Sequence, residues 1–191
     1  MQNSSEIKDL VISWIVMGLC YSYDLDLTNL ILGLPIYLIA VGLSFFAHEL
    51  MHRFAAQKLG YVARYKMWTW GLTLALISTI LSGGRAIFSA PGAVYITYGS
   101  TYSWRDPKKD EVLISLVGPL ANIVLAIIFY PLSLGEDIIS ITAYVGFAIN
   151  SSLAFFNLLP IPPLDGSKIF RGNMLVWAGL MIASAYLFFF F

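Results

Sequence analysis

Apolar residues in this chain neither alternate nor keep to one helical face; they come in unbroken runs separated by short polar breaks. Leu10 to Tyr23 is the first run. At about 1.5 Å per helical residue it falls short of the roughly 30 Å hydrocarbon core of a bilayer. It either crosses where the bilayer thins or lies partly in the interface. Leu27 to Ala56 is a longer helical run, with Thr28 placed to cap its first turn and Pro35 to kink it. Tyr61 to Trp70 mixes Arg64 and Lys66 with aromatics, a composition suited to a membrane interface. Gly71 to Leu81 is apolar but short, and Gly83-Gly84-Arg85 breaks it. Ala90-Pro91-Gly92 followed by Ala93, Val94, Tyr95 and Ile96 reads as a turn running into a strand. Residues 68–98 therefore stay open between a pair of short spans, a re-entrant hairpin and a β-element. Thr101 to Glu111 is polar and reads as a loop. Val112 to Leu134, Ile138 to Leu159 and Met174 to Phe191 are further spans, with a polar Ser167 to Asn173 before the last.

These runs predict an all-α, multi-pass membrane protein of about six transmembrane helices, forming one domain over residues 1–191. Composition agrees. Of 191 residues 59% are hydrophobic and 12% charged, about half the charged share of a soluble domain. The zero net charge offers nothing to nucleic acid. Cys20, being alone, makes neither an internal disulfide nor a CxxC site. Met1 to Asp9 is polar with mixed charge, and no small-residue cleavage site precedes Asp24, so no cleavable signal peptide is expected. No internal repeat and no appended soluble domain is evident.

Charge predicts an orientation. Arg53, Lys58, Arg64, Lys66, Arg85, Arg105, Lys108, Lys109, Lys168 and Arg171 are expected at one side, and Asp24, Asp26, Glu136 and Asp137 at the other. The positive-inside rule makes the first side cytoplasmic in a cell-membrane protein. The N-terminus is then cytoplasmic, and residues 68–98 start and finish on that side.

Chemistry concentrates at His48-Glu49-Leu50-Met51-His52. On a helix, i and i+4 share a face about 6 Å apart along the axis. Two imidazoles so placed can hold one metal ion, with Glu49 in reach of a water there. They are the chain's only two histidines. A catalytic zinc needs three protein ligands and an open position. Glu6, Glu111 and Glu136 are terminal or at predicted helix ends. Asp165 instead follows the fourth strong apolar run, on the predicted side of His52. One Zn²⁺ with two neutral imidazoles and a carboxylate, beside an ionised Glu49, is formally close to neutral, which lowers the cost of burying the set.

With Asn157-Leu158-Leu159-Pro160-Ile161-Pro162-Pro163-Leu164-Asp165-Gly166, an NxxPxPxLDG pattern, the HExxH stretch resembles the two signatures of the site-2 protease family of intramembrane zinc metalloproteases. Gly118-Pro119-Leu120-Ala121-Asn122 resembles its GxxxN element. The resemblance covers most of residues 34–171, the expected core. It implies zinc ligation by His48, His52 and Asp165, with Glu49 as general acid/base. It further implies a three-helix catalytic core with its site below the bilayer surface, and a substrate or oxyanion role for Asn157 and Asn122. The segment Trp68 to Ser89 is longer than the β-turn region expected of the simplest members.

The plainer readings are specific too. Asp165-Gly166 taken alone suits a turn, and Asn122 and Asn157 suit interhelical hydrogen bonding. Gly118-Pro119 suits close packing or a kink. Trp68, Trp70, Tyr95, Tyr98, Tyr102 and Trp104 suit an interfacial belt. The expected function is an intramembrane zinc endopeptidase acting on transmembrane protein substrates in the lipid bilayer. An edge strand at Ala93 to Thr97, including Val94, Tyr95 and Ile96, would capture the unwound substrate by β-addition. The alternative is a membrane metal-binding or transport protein using the same cluster. A metallopeptidase with a glutamate third ligand lacks a suitable glutamate, and an inactive scaffold is disfavoured by the intact Glu49.

Overall fold

The structure is a computed structural model describing residues 2–24, 26–85, 87–88, 90–98 and 106–190. Arg105, Tyr102 and Trp104 lie outside the described residues. The chain order is α1 (Gln2–Tyr21), α2 (Leu27–Lys58), β1 (Tyr61–Met67), α3 (Thr69–Ser82) and β2 (Gly92–Tyr98). Then come α4 (Pro107–Leu132), α5 (Ile138–Asn157), α6 (Asp165–Gly172) and α7 (Met174–Phe189). Three helices, α2, α4 and α5, are long and apolar enough to cross a membrane; α3 and α7 are shorter apolar helices. α1, whose first turns carry Glu6, Lys8 and Asp9, is not among the three. The three long helices pack mutually, and that bundle carries the site.

Several element ends differ from expectation for identifiable reasons. The polar residues before Leu10 belong to α1 because their charges have partners. Glu6 Oε1 accepts from the Tyr65 N–H at 3.0 Å and pairs with Arg53 at 3.2 Å, and Asp9 Oδ2 accepts from the Met67 N–H at 3.3 Å. α2 is capped by Asp26, which accepts from the Thr28 N–H at 2.8 Å, and not by Thr28 itself. A carboxylate there also complements the positive end of the helix. α4 starts at Pro107 behind an Asp106 cap, so residues 107–111 of the expected loop are helical. α5 starts behind Asp137, whose carboxyl is held below its usual range by the bond from the Ser140 N–H. The expected polar linker after Asp165 is the short helix α6.

Of the three readings of residues 68–98, the β-element is present. β1 and β2 form an antiparallel two-stranded sheet running from Tyr61↔Tyr98 to Met67↔Gly92. β1 was not expected. Between the strands α3 leads away from the sheet, and the chain returns to it. The base of this hairpin is closed by the Trp68 N–H on Pro91 O at 2.9 Å and by Gly71 lying against Ala90 O. Its tip turns at Gly83 and Gly84, both at positive φ. Gly84 packs on Tyr23, just beyond the far end of α1. Arg85 therefore sits at the Asp24–Asp26 end of the molecule, away from the other basic residues with which its charge had grouped it. The Phe88 N–H, on the returning chain before β2, finds Ser78 Oγ at 3.0 Å.

Candidate metal centre and pocket

One turn of α2 brings the two imidazoles edge to face, with ring centroids 4.6 Å apart at 81°. Their Nε2 atoms lie 3.0 Å apart. Asp165 Oδ2 completes a triangle at 3.0 Å from His52 Nε2 and 3.4 Å from His48 Nε2. Two histidines that are sequence neighbours thus meet a carboxylate from a helix more than a hundred residues away, on the far side of α4 and α5.

Hydrogen bonds behind the rings decide which nitrogens are bare. His52 Nδ1 faces Ile114 O at 2.6 Å and His48 Nδ1 faces Asn122 Oδ1 at 2.6 Å. A carbonyl oxygen only accepts, so each Nδ1 carries a hydrogen, and in the neutral ring each Nε2 then presents a lone pair. With both rings neutral, two lone pairs and a carboxylate oxygen converge. Such a triangle is repulsive by itself and fits a cation. Two imidazoles and a carboxylate also match a known ligand set of catalytic zinc.

Other elements shape this triangle. A Cβ at Gly118 would run into His52 Nε2 and His48 Cε1, so α4 reaches the rings only as glycine. Asn122, one turn on, lies on the same face, which makes the GxxxN spacing a cover for the histidine pair. A Cβ at Gly166 would meet Leu158 O. Glycine there lets α6 fold back on the end of α5 and deliver Asp165. Lys168 Nζ stands 3.5 Å from Asp165 Oδ1, the oxygen turned away from the histidines.

A cavity of about 140 Å³ opens on the triangle, room for a few waters at about 30 Å³ each. Glu49 lines it, buried to 7% exposure. Its Oε2 is the only buried side-chain polar atom without a hydrogen-bond partner among the described residues. Asn157 lines the cavity too, donating one Nδ2 hydrogen to Leu153 O at 2.9 Å. Asn122 does not: it is fully buried behind His48. Of the expected strand residues, Ala93, Val94 and Tyr95 line the cavity and Ile96 does not.

The sheet turns one particular edge to this cavity. The N–H groups of Tyr65 and Met67 point at Glu6 and Asp9, away from β2. Because antiparallel ladders alternate, Arg64 and Lys66 exchange bonds with Tyr95 and Ala93. Their neighbours Val94 and Gly92 then turn N–H and C=O away from β1. Gly92 to Tyr95 line the cavity and no β1 residue does, so the outer edge of β2 opens onto it.

Sequence reasoning took Lys168 as an orientation charge and Trp68 as part of an interfacial belt, and passed over Asn150 and Ser44. Lys168 follows Asp165 by three residues and Ser44 precedes His48 by four, both same-face spacings. Asn150 is a lone amide inside an apolar run, seven residues before Asn157. Position relative to the motifs was the available signal.

Residues 36–138 and 133–184 match the family model described as Peptidase family M50. A Methanocaldococcus jannaschii protein named "Putative zinc metalloprotease" is 42% identical over 176 residues, covering 91% of this chain and 87% of that protein. A Bacillus subtilis protein of the same description is 31% identical over 151 residues, covering 71% of this chain and 68% of its own length. No solved structure matches the chain significantly.

Proposed function

The chain belongs to peptidase family M50, and on that premise we propose that it is an intramembrane zinc endopeptidase cutting membrane-embedded segments of protein substrates. The observation that carries this reading is the convergence of three lone-pair atoms beside a buried carboxylate oxygen that has no partner. His48, His52 and Asp165 would hold one Zn²⁺, since they meet at a single point. When bound, zinc lowers the pKa of water and polarises the scissile carbonyl.

Glu49 takes a proton from the attacking water and returns it to the leaving amine. Its unpartnered oxygen suits that work, because no competing hydrogen bond must break first. Asn157 has one amide hydrogen on Leu153 O, and we assign the other to the developing oxyanion. Asn122 has both amide hydrogens engaged, on Ser44 O and Asn150 Oδ1. It therefore serves His48 and not the substrate.

A helical substrate hides its carbonyls in its own hydrogen bonds and must unwind to be cut. The outward N–H and C=O of Val94 and Gly92 offer replacement partners at the rim of the cavity, by β-addition. We read α1 to α5 and α7 as about six membrane-embedded helices of a single domain. α3 and its returning strand then form a re-entrant hairpin, and the metal lies toward the basic, cytoplasmic side.

The test compares wild type with Glu49→Gln in detergent, measuring bound zinc and cleavage of a transmembrane test substrate. Zinc retained with cleavage lost supports the reading. Equal cleavage in both overturns it. Zinc bound by a wild type that cuts no transmembrane segment would favour a metal-binding protein instead.

A further inference from the structure

Behind His48 lies a polar network sealed inside the three long helices. Ser44, Asn122 and Asn150 are each fully buried, one from each of α2, α4 and α5. None of them lines the cavity. Polar groups so deep in an apolar bundle need every partner, and here the partners can be traced in order.

The tracing starts from main-chain carbonyls, which only accept. Ala40 O takes the Ser44 hydroxyl hydrogen at 2.8 Å, leaving Ser44 Oγ as an acceptor. Asn150 Nδ2 donates to that Oγ at 2.7 Å and to Gly146 O at 2.8 Å. Asn150 must therefore present its Oδ1 to Asn122. Asn122 Nδ2 donates to that Oδ1 at 2.8 Å and to Ser44 O at 3.1 Å. Asn122 Oδ1 is left facing His48 Nδ1, which must donate. Turning either amide over would set a carbonyl against a carbonyl.

We infer that Asn150 and Ser44, acting through Asn122, are positioning residues that lock His48 in the tautomer with a bare Nε2. This rests on the metal reading above for its purpose, though not for its geometry. His52 needs no such device, because Ile114 O faces its Nδ1 directly. One ligand is thus keyed by a single backbone atom. The other is keyed by a chain of side chains spanning three helices, so its competence depends on how α5 sits against α2 and α4. Groups behind a ligand histidine typically alter metal affinity about 10–100-fold when removed.

The chain has only two histidines, so nitrogen NMR of ¹⁵N-histidine-labelled, metal-stripped full chain in detergent reads each tautomer separately. At a pH that leaves both rings neutral, wild type is expected to show Nδ1 protonated and Nε2 bare on both rings. In Asn150→Ala, His48 shifts to a tautomer mixture while His52 stays, and zinc affinity by chelator competition falls about 10–100-fold. Asn122→Leu does the same more completely. Ile149→Ala, a buried truncation next to Asn150 with no polar role, separates lost packing from lost keying. Unchanged His48 signals and zinc affinity in Asn150→Ala relative to Ile149→Ala overturn the inference. Were wild type to bind no zinc while the tautomers moved as described, the metal reading would fail and the positioning role would stand.

Discussion

The cavity has two walls that treat polar groups in opposite ways. On the α2–α4–α5 side, amides, hydroxyl and imidazole Nδ1 atoms are bonded one to the next, down to backbone carbonyls. On the other wall the outer edge of β2 faces open space, and Glu49, though carried by α2, belongs with it in leaving Oε2 without a partner. Buried polar groups are costly to leave unmade, so the first wall is rigid and specifies one arrangement. The second keeps its groups free for something that arrives. A metal site needs the first property, since ligands must not wander. A site that takes in an unwound chain and a water needs the second. The molecule separates the two requirements onto different side chains, with α2 carrying both His48 and Glu49 where the walls meet.

The largest effect should come from the open wall at its most chemical point. Glu49→Gln keeps the shape and removes the base. General acid–base groups contribute about 10²–10⁴-fold, so cleavage of a transmembrane substrate should fall by that order with zinc content unchanged. If zinc were lost as well, Glu49 would belong with the closed wall. Next in size is Gly118→Ala. The added Cβ presses on both imidazoles, and overpacking costs about 1–3 kcal/mol. Zinc affinity should drop about tenfold or more, read by chelator competition; an unchanged affinity would show the closed wall to be softer than its bonding suggests.

The two walls were not equally legible in the sequence. The long apolar runs pointed to α2, α4 and α5 and the HExxH spacing to His48 and His52, because both signals are local and periodic, whereas Asp165 was singled out by the resemblance to a family signature. β1 carried its own signal, the alternation of buried Tyr61, Ala63 and Tyr65 with exposed Val62, Arg64 and Lys66. Its basic and aromatic composition imitated a membrane interface and hid that period. Ser44 and Asn150 could be seen as polar intruders in apolar helices, but their pairing crosses 106 residues of chain, and periodicity says nothing about such contacts. Arg85 misled in the other direction. A charge next to a Gly-Gly turn was sorted by sign, whereas the tip of the α3 hairpin is placed by Tyr23.

The sheet allows a smaller and more pointed test, because adjacent residues of β2 face opposite ways. Val94 turns its N–H outward, so Val94→Pro removes a group offered to substrate and leaves the ladder intact. Loss of one hydrogen bond of about 1–1.5 kcal/mol predicts roughly tenfold slower cleavage, with zinc affinity and melting temperature held. Tyr95→Pro removes an inward ladder bond and should destabilise the hairpin instead. If the two variants lose cleavage and stability alike, the open edge is only structural.

The smallest effect belongs to the edge of the sheet that is already closed. Glu6 and Asp9 of α1 occupy the outward N–H groups of Tyr65 and Met67, which closes that stretch of the edge to an incoming strand. Glu6→Gln keeps an oxygen for the Tyr65 N–H but gives up the charge facing Arg53. Arg53 is 39% exposed, so solvent screens the pair, and the expected cost is about 0.5–1 kcal/mol of stability. Cleavage should hold, since the edge facing the cavity is untouched. A loss of cleavage larger than the loss of stability would mean that α1 acts on Glu49 or β2 through the small apolar cavity lying between them, and the division between a closed and an open wall would have to include α1.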